Sequence, residues 1–263
     1  MTNPTLLPQA RLGSASADPE PAASFGRSQP LAAKLLFGLV LSGLATVVVA
    51  EETRLSEFVG KAYDADSGTL LYTEQHSLEL VDGVPQQETV RYLTPDGDAL
   101  AQKDMTYWQP ARPAYRLTVV DPQRTETVEP EDSGVTIESV ESGFLDWSDA
   151  GNYVIDGGFH YFILDHFDTL LAGESVELQF LAPTRTRWLG LRLRPVEQAD
   201  GRLLLELNVR NRLLSLVISD IELTYDIQSQ RLLRYAGLTN LPKPGGGNYI
   251  ANIDYEYPGD EQP

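Results

Sequence analysis

The chain has 263 residues, 20 Lys+Arg against 38 Asp+Glu, a formal net charge of -18 and no Cys. The missing Cys excludes disulfides, Fe–S clusters, thiol nucleophiles and Cys-type zinc sites. The acidity argues against nucleic acid as a partner, because phosphate contacts need a basic face.

Residues 1–33 are rich in Ala, Ser, Pro and Gly and too polar to pack. Lys34 then precedes sixteen uncharged residues, 35–50, which end in Val48-Val49-Ala50 before Glu51-Glu52. A basic flank, an apolar stretch and a small terminal residue are the parts of a secretory signal peptide, here with cleavage after Ala50. An uncleaved anchor is the competing reading, although a spanning helix wants about 20 apolar residues. Either way the remaining chain is expected outside the cytoplasm, in the periplasm, touching membrane only through this segment. The domain expectation is a leader with signal or anchor over 1–50 and one folded domain over 51–263. That domain holds 17 basic and 36 acidic residues, a formal net of -19.

From Leu55 onward the apolar period is two, the mark of half-buried strands. Strands are predicted over 55–64, 69–80, 87–94, 99–108, 114–120, 124–129 and 134–140, then over 174–182, 186–196, 202–218, 221–227, 231–237 and 249–257. Some of these are edges only, leaving about ten or eleven main strands. Asp64-Ala-Asp-Ser-Gly68, Asp82-Gly83, Pro95-Asp96-Gly97 and Asp200-Gly201 supply the turns. Residues 146–158 read as turn-rich and 242–247 as a flexible loop. Between them, Phe159, Phe162, Ile163, Phe167 and Leu170 recur at helical spacing, with Gly157-Gly158 before and Gly173 after. This predicts one amphipathic helix of about three turns. The fold class is therefore α+β, mostly β: an antiparallel meander curved into a half-barrel, with one covering helix at about 159–171.

If Leu70, Tyr72, Leu78 and Leu80 face inward, Glu74 and His76 face inward with them. Lys103 sits in the same way among Ala99, Ala101, Met105 and Tyr107. One intervening strand separates the two, so the three groups can meet. They read either as a polar anchor for a ligand headgroup or as a structural ion pair, since buried charges must be paired. The helix stripe reads as core packing or as a lid over an apolar cavity. His76, His160 and His166 have no metal-ligand spacing, and no nucleophile, phosphate-loop or calcium-loop motif occurs. No metal, cofactor or enzymatic activity is expected.

Three stretches carry a resemblance. They are 159–183, 226–240 followed by 249–257, and an opening run with Gly60, Tyr72, Glu74, His76, Tyr92, Gly97, Ala101 and Lys103. Over most of 55–257 the chain resembles uncharacterised bacterial exported proteins related to the half-barrel superfamily of periplasmic lipoprotein carriers. The resemblance implies an apolar groove in a curved sheet, closed by a helix, and a lipid or acyl-chain ligand. The expected ligand-lining residues are Tyr72, Glu74, His76, Tyr92, Lys103, Phe159, Phe162 and Phe167. The alternatives are an envelope protein-interaction module whose barrel is filled by its own side chains and, more weakly, a hydrolase with an unrecognised site.

Overall fold

A computed structural model describes residues 52–148, 151–210 and 220–258. The first half holds β1 (Thr53–Asp64), β2 (Leu70–Val81), β3 (Val84–Leu93), β4 (Ala99–Thr106), β5 (Ala114–Val119), β6 (Arg124–Pro130), β7 (Gly134–Glu138) and β8 (Gly143–Asp146). After β9 (Tyr153–Val154) come two short helices, α1 (Gly158–Asp165) and α2 (Phe167–Leu171). The second half holds β10 (Val176–Ala182), β11 (Arg187–Ala199), β12 (Arg202–Val209), β13 (Ile221–Asp226), β14 (Leu232–Pro242) and β15 (Asn248–Glu256). The protein is thus mostly β, as the alternating pattern predicts. The predicted signal segment and part of the predicted 202–218 strand lie outside the described residues. Among the described residues no helix is long and apolar enough to cross a membrane.

All strands join one open curved sheet in the order β8-β7-β6-β5-β4-β3-β2-β1-β15-β14-β13-β12-β11-β10-β9. Every neighbouring pair is antiparallel except β9 with β10, which is parallel. The first and last described strands meet in the middle of the sheet, where β1 pairs with β15. Its two edges, β8 and β9, are joined by only a short connection. Side chains close the seam between them. Thr186 Oγ1 donates to the Glu141 carbonyl, and the Trp147 ring lies 5.4 Å from Trp188 and 5.1 Å from Tyr153.

Two apolar clusters fill the interior. One joins β1–β7 and β15 and is rich in Tyr: Tyr72, Tyr92, Tyr107 and Tyr115 are buried in it. The other packs Phe162, Ile163, Phe167 and Leu170 against Leu178, Leu193, Leu203, Leu205 and Tyr225. The predicted helix is broken at His166, whose φ of -112° and ψ of 12° are not helical. Its Nδ1 lies 2.9 Å from the Phe162 carbonyl, as a donor to the end of α1.

The glycine pair at the start of α1 has a steric cause. A Cβ at Gly158 would lie 2.3 Å from the Ala111 carbonyl oxygen, and one at Gly157 would lie 2.8 Å from Met105 Sδ. At Gly158, where the close atoms are backbone, only glycine lets the chain pass; at Gly157 the Met105 and Tyr107 side chains would have to shift. The turn-rich stretch holds β9 and follows directly on β8; alternation reveals neither because each is so short.

Candidate functional site

The inward faces of β2–β6 form three rows, because each residue is directly opposite its partner on the next strand. The first row runs Glu74, Tyr92, Ala101, Val119, Arg124. The second runs His76, Val90, Lys103, Leu117, Glu126. The third runs Leu78, Glu88, Met105, Tyr115, Val128. Two tyrosines and six acidic or basic side chains therefore share one concave wall of five strands. Four of them, Glu74, Glu88, Lys103 and Glu126, are buried.

Each of those four is satisfied, as burial of charge demands. His76 bridges two carboxylates: Nδ1 is 2.8 Å from Glu88 Oε1 and Nε2 is 3.2 Å from Glu74 Oε2. Tyr107 donates to Glu88 Oε2 at 2.7 Å and Tyr255 to Glu74 Oε2 at 3.1 Å. Phe58 stacks on the imidazole at a centroid distance of 4.2 Å. Lys103 Nζ sits 2.7 Å from both oxygens of Asp156, and Asn240 donates to Oδ2 of the same residue at 2.5 Å. Glu126 accepts Tyr115 at 2.7 Å and Ser139 at 2.6 Å.

Two histidines on this cavity titrate in opposite directions. Burial pushes the His76 imidazole down, but hydrogen bonds and charge from Glu74 and Glu88 outweigh it and raise it to about 9. Burial pushes Glu88 up, and its bond to the His76 imidazole and the charge there more than reverse that, leaving it below its usual value. His160 is buried without such help, and desolvation lowers it to about 4, against a weak opposing pull from Glu88. Its Nδ1 lies 3.1 Å from the Tyr225 hydroxyl.

The facing wall carries no charge. Phe180 on β10, Leu189 and Leu191 on β11, Leu207 and Val209 on β12, and Leu223 on β13 line it. Together with α1 the two walls enclose a cavity of about 550 Å³. Its exposed lining residues are Thr184, Leu238 and Asn240. In an up-and-down meander the strand ends alternate, so Thr184 after β10 and Asn240 near the end of β14 lie at one end of the barrel. Arg124, the first residue of β6, lies at that end too. This is the mouth.

Of the residues expected from sequence, Glu74, His76, Tyr92, Lys103 and Phe159 line the cavity. Tyr72, Phe162 and Phe167 are not among its lining; they are buried in the two clusters. Lys103 meets neither Glu74 nor His76 but Asp156. That partner lies in the turn-rich stretch at φ 41°, a left-handed conformation that Asp tolerates better than most residues. Nothing in the strand pattern points to it. Glu88 and Glu126 were accessible to the same parity argument as Glu74, being in step with Val90 and Val128. Among the described residues no cluster of His, Asp and Glu could hold a metal ion.

Fold and site define an open curved sheet wrapped around a cavity that is charged on one wall and aliphatic on the other. No protein-family model matches the chain, and no curated protein matches it. Two solved structures are similar. The crystal structure of a β-barrel-like protein of domain of unknown function DUF1849 from Brucella abortus is 10% identical, with 79% of this chain and 98% of that chain covered and a TM-score of 0.37. A domain from Vibrio parahaemolyticus described as an outer membrane lipoprotein-sorting protein is 7% identical, with 80% and 87% covered and a TM-score of 0.24. At these scores neither likeness carries a function to this chain.

Proposed function

We propose that this protein is a non-enzymatic binding protein of the bacterial periplasm that holds an amphipathic lipid or acyl chain in the barrel. The two-faced cavity carries the reading. The chain lies against Leu189, Leu191, Leu207, Val209 and Leu223, and its polar end faces the wall of β2–β6. The volume of about 550 Å³ falls within the usual range for small-molecule sites. Each methylene removed from water contributes about 0.8 kcal/mol. Phe159 covers the chain from α1, while Phe162 and Phe167 anchor the helices beneath. Glu74, His76 and Lys103 set the polarity of the headgroup end. Both ring nitrogens of His76 are engaged by carboxylates, which leaves it no lone pair for general-base work. The signal-like segment supports export.

The test is native mass spectrometry of the full chain expressed in a bacterium and purified gently from the periplasm, followed by organic extraction. The expected result is a chain beginning at Glu51 with a bound mass that extracts as lipid. A protein with no extractable lipid, and with no affinity for an apolar fluorescent probe, overturns the binding reading. It would favour the self-filled barrel acting through an envelope protein partner.

A further inference from the structure

Most cations lining the cavity have a described partner. Lys103 holds Asp156, His76 holds Glu74 and Glu88, and the Arg231 guanidinium lies over the Tyr257 ring at 4.7 Å. Arg124 is different. It lines the cavity, half-buried, and its side chain has no hydrogen-bond or ion-pair partner among the described residues. The obvious partner is Glu126, two residues on along the same face of β6. Both oxygens of Glu126 are already taken, by the Tyr115 and Ser139 hydroxyls. No ion pair joins the two side chains. A half-desolvated guanidinium without a counter-charge is costly, and it presents a planar fork suited to carboxylate or phosphate.

Resting on the binding function proposed above, we infer that Arg124 is the headgroup site of the cavity and that the ligand ends in an anion, a carboxylate or a phosphate. The position agrees with this. Arg124 lies at the open end, with Thr184 and Asn240, so an amphiphile can bury its tail along β10–β13 and leave its head at the mouth. The buried charges of the deeper wall do not compete for the anion. Lys103 is held by both oxygens of Asp156, and His76 by two glutamates. A cationic headgroup would have to sit beside the guanidinium or displace one of these bonded cations.

The test uses the full-length protein with N-phenyl-1-naphthylamine, a neutral apolar probe, in the cavity. Dodecanoic acid, dodecyl phosphate, methyl dodecanoate and dodecyltrimethylammonium compete for it. At least one of the two anions is expected to displace the probe at roughly tenfold to a hundredfold lower concentration than the ester, the usual worth of a charged hydrogen-bonded pair. Whichever anion wins identifies the headgroup as carboxylate or phosphate. Arg124→Gln is expected to bring the anions down to the level of the ester and to leave the ester unchanged, which also reports that the cavity is intact. Arg124→Lys is expected to keep part of the preference. An ester or ammonium that competes as well as the anions overturns the inference, as does an Arg124→Gln protein that keeps the preference; the binding function survives both. A protein in which no competitor displaces the probe overturns both readings together.

Discussion

The wall of β2–β6 and the wall of β10–β13 face the same cavity but are held by different forces. The first is a polar lattice, in which each buried charge is fixed by named hydrogen bonds. The second is close packing of Leu, Phe and Tyr against two short helices. Directional bonds fix side-chain position at the cost of desolvation, whereas packing stabilises without specifying polarity. A cavity bounded by one of each distinguishes the two ends of an amphiphile.

The sharpest way to break the polar wall is Lys103→Met. It leaves Asp156 half-buried, with its carboxylate bonded only by Asn240. Removing one partner of a buried pair costs about 3–5 kcal/mol, to be read from urea midpoints. The double change Lys103→Met with Asp156→Leu is expected to recover much of this, because no buried charge is then left alone. If the single and double variants are equally unstable, the pair does not hold the wall together.

On the aliphatic wall, size of effect should depend on whether a leucine packs against the helices or borders the cavity. Leu193 is fully buried in the helix-packed cluster, so Leu193→Ala should cost about 2–5 kcal/mol. Leu189 lines the existing cavity and is only half-buried. Leu189→Ala enlarges a space already there and should cost about 1 kcal/mol, while weakening retention of an apolar probe. Equal costs in chemical denaturation would mean that the cavity does not persist in solution.

The contrast between the walls was only partly legible in the sequence. Alternation places Glu74, His76 and Lys103 inward and predicts the mostly β meander. The same parity applied to β3 and β6 reaches Glu88 and Glu126. It cannot reach Asp156, which is contributed by an irregular turn rather than a strand. The helix period marks Phe162 and Phe167 as apolar without saying which side they cover; the structure turns both toward the packed cluster, and Phe159 toward the cavity. The edges β8 and β9 have four and two residues, too few for a period to show.

The two histidines give each wall its own pH signature. His76 is raised in the fold, so its contribution, on the order of 3 kcal/mol, is fully present below its unfolded value of 6.5 and is lost as pH rises through about 9. His160 is lowered, so the unfolded chain takes up a proton near 6.5 that the folded chain refuses until about 4. Stability is therefore lost on that account as pH falls across this window. Urea midpoints from pH 4 to 10 should show both limbs. His76→Ala should remove the alkaline limb, and His160→Gln should make the acid limb shallower, the remainder being set by carboxylates held below their usual values. An alkaline limb that also moves in His160→Gln would show the walls to be coupled.

Gly60 sharpens the same comparison with a smaller perturbation. It lies on β1 directly opposite Glu74, where a Cβ would come within 3.0 Å of Glu74 Oε2 and 2.9 Å of the Tyr255 ring. Backbone conformation is not at issue, since its φ is not positive; the constraint is space. Gly60→Ala must push Glu74 or Tyr255 aside, and overpacking of this kind costs about 1–3 kcal/mol. Because Glu74 is one of the two carboxylates that hold the His76 proton, moving it should also bring the alkaline limb to lower pH. His160 and the helix-packed cluster lie on other elements, so the acid limb should stay where it is. An alkaline limb unmoved in Gly60→Ala would show that Tyr255, not Glu74, gives way to the methyl.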